Sequence, residues 1–269
     1  DGTDTKLYYN GAYVTTVNWF EGTWSEIEIG RNRNRDRPGN YYLDEVRVWD
    51  AALSQANIQA WMHKTLSSSH PNYSDLQVYF QMNSNSISGT TLLDASNNGN
   101  NATMYNSSGI NTSSSYVPVV DLVSNYQNDV ESIWTSSGTA DSDASDGLSM
   151  NVSSTLAEAN FAVFGNNNSS GTTSSNLPSG QSLQKRSSRE WQLEESGTVT
   201  VNIKIDISDA TGNNITPAAA SNYKLLFKSC TECDFVVNAT GSSSSGDIIT
   251  FSNISIQDGF YSIASTDSN

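Results

Sequence analysis

From about Val119 onward the chain is a succession of short β-prone runs: "FAVFG", "REWQL", "TVTVNIKIDIS", "YKLLFKS", "DFVVNA", "DIITFSNISI" and "FYSIAS". Each is closed by a cluster of Gly, Ser, Asn or Asp, and no helical pattern intervenes. Parallel strands need long crossovers, whereas antiparallel ones need only turns, so this spacing predicts an antiparallel β-sandwich of about 100–150 residues. Composition agrees: hydrophobic residues make up 36% and charged residues only 15%, leaving Ser, Thr, Asn and Gly for turns. Long helices would call for Ala, Glu, Lys and Leu instead.

The first part reads differently. "KLYY", Asn10-Gly11 and "AYVTTV" form the strongest hairpin signal in the chain, because Asn-Gly supplies the positive φ angles of a type I′ turn. "SEIEIG" alternates strictly, and "YYLDEVRVWD" alternates with mixed faces, Leu43, Glu45, Arg47 and Trp49 on one side and Tyr42, Asp44, Val46 and Val48 on the other. "LSQANIQAWMHKTL" predicts a helix capped by Ser54, with Ile58, Trp61 and Met62 at helical spacing. "DLQVYFQM" returns to strand character, followed by short strands near Thr91–Leu93 and Ala102–Tyr105. A boundary is expected near "INTSSSYVP", giving domains at 1–116 and 119–269.

A formal net charge of −15 repels nucleic-acid phosphates and anionic lipid head groups, so neither is an expected partner. No apolar run approaches the roughly 20 residues that span a bilayer, so membrane insertion is not expected. Sparse Lys, abundant Asn and Ser and only two cysteines suit an extracellular or cell-surface setting, and the absence of a leader after Asp1 is read as a signal peptide absent or removed.

In order along residues 1–105, "DGTDTKLYYNGAYV", "IEIGRN", "YYLDEVRVWDAALSQANIQAWM" and "DLQVYFQMN…GTTLLDASNNGNNATM" resemble the later part of a laminin G-like jelly roll of the concanavalin A-like lectin/glucanase superfamily. The family's opening strands would precede Asp1, so the resemblance implies a partial jelly roll. More loosely, "FAVFGNNNSS", "REWQLEESGTVTVNIKIDIS", "SNYKLLFKS" and "DGFYSIAS" resemble β-sandwich modules near the C-termini of large secreted bacterial surface proteins, often adhesins or fibre components. The expected fold is therefore all-β: a partial laminin G-like jelly roll, then an immunoglobulin-like antiparallel β-sandwich.

Adjacent strand residues point to opposite faces, so Asp44 and Glu45 cannot flank one scissile bond. Glu26 and Glu28 share a face, but Arg31 stands where the glucanase pattern wants a third carboxylate. Asp44 together with Asp94, Asn98 and Asn100 of "LDASNNGNN" offers the mixed carboxylate and amide oxygens that Ca²⁺ takes, the alternative being a turn closed by Asx hydrogen bonds. "DSDASDG" fails as an EF-hand loop, since Asp146 occupies the position of the required Gly.

Trp19 and Trp24 in "NWFEGTW" could stack on sugar rings, or close the end of a core. Arg31, Arg33 and Arg35 of "RNRNRDR" form either a docking patch for an acidic surface or a solvated loop. Cys230 and Cys233 fall in a turn between two strands, where a local disulfide is the best account and free thiols the alternative. Two histidines, neither in a Ser or Cys context, give no support to a nucleophilic triad.

The expected function is non-catalytic: adhesion or assembly within a large bacterial surface protein, with a cell-surface glycan or another protein chain as partner. Two alternatives stand beside it. One is a self-assembling fibre subunit completed by a neighbouring chain, the other a carbohydrate-binding accessory module of a secreted polysaccharide-degrading enzyme.

Overall fold

In the computed structural model of the protein, Asn10 and Gly11 take φ angles of 48° and 72°, the left-handed pair that a type I′ turn requires. They join β1 (Asp4–Tyr9) to β2 (Ala12–Asn18) in an antiparallel hairpin whose register slips between Leu7 and Tyr8. A Cβ on Gly11 would lie 2.9 Å from both Gln59 Cγ and Met62 Sδ, so the turn rests on the helix and only glycine fits. The structure describes residues 4–18, 27–30, 43–105, 117–134, 142, 144–152, 155–157 and 159–267.

The chain divides into two compact units, Asp1–Val117 and Pro118–Asn269. Both are built on antiparallel strands, and the protein is all-β. In the first unit β3 (Val46–Trp49) pairs with β4 (Leu76–Phe80). Sequence alternation predicts a longer β3, but Glu45 sits at φ 50°, outside the extended region, and the strand starts after it.

Helix α1 (Gln55–Trp61) begins as expected, Ser54 Oγ accepting the Asn57 N–H at 3.1 Å. It is shorter than the sequence signal because Arg47 reaches its end: Nη1 donates to Trp61 O at 2.9 Å and Nη2 to Lys64 O at 2.5 Å. A cation on the free C-terminal carbonyls stabilises that end. Strands β5 (Ile87–Ser88), β6 (Thr91–Leu92) and β7 (Ala102–Thr103) form a small third sheet. Among the described residues, the core of this unit centres on Trp61, Leu66, Leu76 and Tyr79.

The second unit is a sandwich. One sheet holds β8 (Asn128–Trp134), β10 (Phe161–Asn166), β13 (Trp191–Ser196), β19 (Gly259–Ser265), β12 (Lys185–Ser187) and β11 (Thr172–Thr173). On the far side of β19 lie β15 (Tyr223–Lys228) and β16 (Val236–Thr240). The other sheet runs β17 (Ser243–Ser245), β18 (Ile248–Ser255), β14 (Thr200–Asp206), β9 (Leu148–Asn151). A short helix, α2 (Ile207–Thr211), follows β14.

"TVNIKID" buries Val201, Ile203 and Ile205 and turns Asn202, Lys204 and Asp206 outward, as period-two alternation predicts. With Ile249 and Phe251 they meet Phe164, Trp191, Leu193, Leu225 and Tyr261 from the opposite sheet in one core. At Asn202 the ladder has a bulge, Ser252 and Asn253 facing one residue, with Asn253 at φ 57° and its N–H donating to Asn202 Oδ1. The extra residue changes the phase of β18, so Ile254 is buried although Phe251 is too.

β12 and β13 are two pieces of one line of pairing along β19, parted by Ser188, Arg189 and Glu190. Ser262 Oγ lies within hydrogen-bond reach of Ser187 O at 3.1 Å and Arg189 O at 3.2 Å, filling the gap. The interruption aims two charged side chains out of the ordinary alternation.

Candidate functional site

The carboxylates of "NYYLDEVRVWD" serve different neighbours. Asp44 Oδ1 accepts the Glu45 N–H at 3.0 Å. Glu45 Oε2 accepts from Arg47 Nη2 at 2.6 Å and from the Tyr79 hydroxyl at 2.5 Å. Burial, then the hydrogen bond to Glu45, pushes the Tyr79 hydroxyl up to about 12, so it stays a donor at neutral pH. Glu45 thus orients the guanidinium that caps α1. Beside it His70 lies between two indoles, stacked 4.4 Å from Trp49 and tilted 4.9 Å from Trp61. Its Nδ1 accepts the Asn72 N–H at 3.0 Å, which fixes the neutral imidazole with its proton on Nε2. Burial and the nearby Arg47 and Lys64 charges hold its pKa below the usual value.

Asp94, Asn98 and Asn100 do come together, against β4. Asp94 Oδ1 accepts the N–H groups of Tyr79 and Ser96, and Oδ2 accepts the Ser96 hydroxyl and the Asn100 N–H, at 2.7–2.9 Å. Asn98 Nδ2 donates to Leu76 O, and Asn100 Nδ2 to Gln77 O. These hydrogen bonds outweigh burial and hold the Asp94 carboxyl below its usual pKa. A carboxylate offers about four lone-pair sites, and here all four are occupied. Calcium would have to displace those donors, so the turn does not fit the ion that its sequence suggests.

Trp19, Trp24, Arg31, Arg33 and Arg35 lie outside the described residues, as does Glu26. What the first unit does present is the hairpin itself. Leu7 is 53% exposed, Tyr9 72%, Val14 53% and Val17 42%. By register Leu7, Tyr9 and Val17 share one face, while Tyr8 and Tyr13 meet edge-on at 6.0 Å on the other. Grouped apolar exposure of this kind marks an interaction surface more often than scattered residues do.

In the second unit Cys230 and Cys233 are joined as a disulfide. Asp146 of "DSDASDG" pairs with Arg189 Nη1 at 2.5 Å and accepts from Asn166 Nδ2 at 2.9 Å. The charge cluster at the β12–β13 break has no precedent in the sequence reading. Glu190 Oε1 meets Arg186 Nη2 at 3.1 Å, and Oε2 meets Lys228 Nζ at 2.9 Å and the Tyr126 hydroxyl at 2.8 Å. Arg186 and Lys228 both lie over the Phe235 ring at 4.8 Å. All three charged residues are buried. Burial and Glu190 drive the Tyr126 pKa upward. The visible signal was "KRSSRE", three of the chain's 13 Lys and Arg residues within five positions of one glutamate being dense for this charge-poor chain.

Residues 120–260, over half the chain, match the model of a domain family of unknown function, DUF8202. The chain belongs to that family. The match runs from β8 through β18 to the first two residues of β19, and the Glu190 cluster and the disulfide lie within it. Residues 1–59, from the hairpin through most of α1, match the concanavalin A-like lectin/glucanases superfamily, and residues 60–105 lie beyond that match. No curated protein and no solved structure matches the chain.

Proposed function

We propose that the chain is a non-catalytic adhesion or assembly module of a large bacterial cell-surface protein, gripping a surface glycan or another protein chain through its first unit. The observation that carries this reading is the exposed apolar and aromatic hairpin of β1 and β2, within the segment similar to the concanavalin A-like superfamily. The sandwich matched by the DUF8202 model, with its continuous core, suits a load-bearing support. The immunoglobulin-like, adhesin-like character of that sandwich is part of the same proposal.

A glycan array and light scattering on the purified chain test it, with Leu7→Ser/Tyr9→Ser as comparison. Glycan capture or concentration-dependent association that the double substitution lowers at least tenfold supports the reading. Neither activity in the parent chain, or activity indifferent to the substitution, overturns it. A fibre subunit is the second reading, because the hairpin stands as a two-stranded sheet among the described residues and its edges suit strand addition. Open-ended polymers in the same scattering experiment would select it.

A further inference from the structure

Between β11 and β12 the chain leaves the sheet for residues 174–184, "SSNLPSGQSLQ". Only two large apolar side chains in this strap, Leu177 and Leu183, anchor it, packing with Val237 against Leu226, Phe235 and Ala264. Arg186 Nε adds a hydrogen bond to Ser175 O at 2.9 Å. The Gln184 N–H donates to Ser265 O at 2.9 Å at the strap's end, and its middle is clamped by Asn176, whose Nδ2 donates to Cys233 O at 3.2 Å and whose Oδ1 accepts the Phe235 N–H at 3.1 Å. Both partners lie in or beside the turn that the Cys230–Cys233 disulfide closes. The same turn offers Thr231 O to Lys228 Nζ at 3.0 Å. Cys230, Thr231 and Glu232 are exposed, so a small thiol in solution reaches the disulfide without the fold opening.

We propose that this disulfide is a redox latch on the strap. An external dithiol attacks one sulfur, then closes on itself. It leaves as its own disulfide after delivering two electrons and two protons, and Cys230 and Cys233 become thiols. Only the S–S bond of the protein is broken. The freed turn gains conformations that the closed loop forbids, Asn176 loses fixed partners, and the strap lifts from Leu226, Phe235 and Ala264. An apolar strip flanked by Arg186 and Lys228 is thereby bared. The sandwich core stays closed, because Leu225, Tyr261 and Ile263 face the opposite side.

Hydrogen exchange read by mass spectrometry on the full chain, with and without dithiothreitol, tests the latch. Peptides covering 174–184, and the Phe235 amide that donates to Asn176 Oδ1, should exchange about tenfold faster after reduction, while β14 and β18 keep their protection. Cys230→Ser/Cys233→Ser should behave like the reduced protein. Asn176→Ala should free the strap without reductant, with reduction adding less than about twofold more. Unchanged strap protection on reduction, equal loosening of β14 and β18, or a fully protected strap in Asn176→Ala would each overturn the proposal.

Discussion

Among the described residues, the first unit is held by a few large rings and by side chains that bond backbone, whereas the second buries a continuous apolar layer between two sheets. Around Arg47 and Asp94, most polar contacts end on a main-chain N–H or C=O. Such contacts pin turns and helix ends but bury little area, each worth about 1 kcal/mol net. In the second unit Phe164, Trp191, Ile203, Ile205 and Phe251 are wholly enclosed, and burying one such side chain stabilises by about 1.5–3 kcal/mol. The two units are therefore stabilised by different means.

The sharpest way to test this contrast is to empty the layer. Phe164→Ala should cost about 3–5 kcal/mol, read by denaturant unfolding, and a cost below 1 kcal/mol would show that the layer is not the source of stability. Almost as large is the effect expected at the charge cluster. Glu190→Gln leaves Arg186 and Lys228 buried without their counter-charge, costing about 3–5 kcal/mol, whereas replacing all three by apolar residues of similar volume should recover most of that. If the single and triple changes cost alike, the cluster is not an electrostatic unit.

A third test uses pH, and it separates the units by sign. His70 has a lowered folded-state pKa, so its neutral form stabilises above the usual value of 6.5, and that contribution is lost as pH falls below it. Glu194 and Glu195 have raised values, burial being the main cause with Asp258 beside them. Their contribution is complete below the usual 4.5 and lost as pH rises through the folded values. Mild acid should therefore loosen hydrogen-exchange protection around α1 while tightening it at β13. Movement of both regions in one direction between pH 7 and 5 would break the comparison. Asp94, held low, adds to acid loss only below about pH 4. The smallest effect belongs to metal: adding Ca²⁺ or a chelator should leave the melting temperature unchanged, and a calcium-dependent rise would mean that the Asp94 donors yield to the ion.

Local chemistry made much of the fold legible. Asn10-Gly11 announced its turn, Ser54 its helix start, and "TVNIKID" its buried face, because each signal acts within a few residues. The missing parts depend on distant partners. Nothing near Trp61 says that Arg47 ends α1, fourteen positions away. "REWQL" reads as a strand, yet its first two residues belong to a break that exists only because β19 arrives from the far end of the sequence. At the Asp94 turn the sequence left calcium and Asx hydrogen bonds both open, since donor-filled and metal-filled loops use the same residues and differ only in which atoms face inward.

The placement of β19 has a consequence for how the sandwich is made. Residues 259–265 pair with β12, β13 and β15 at once, and without them the larger sheet is separate fragments with no shared hydrogen bonds across its middle. During synthesis the three fragments, β8–β10–β13, β11–β12 and β15–β16, must wait to be joined until this keystone emerges. Assembly therefore starts late and closes abruptly, and a nascent chain that stalls short of it is a target for chaperones and proteases.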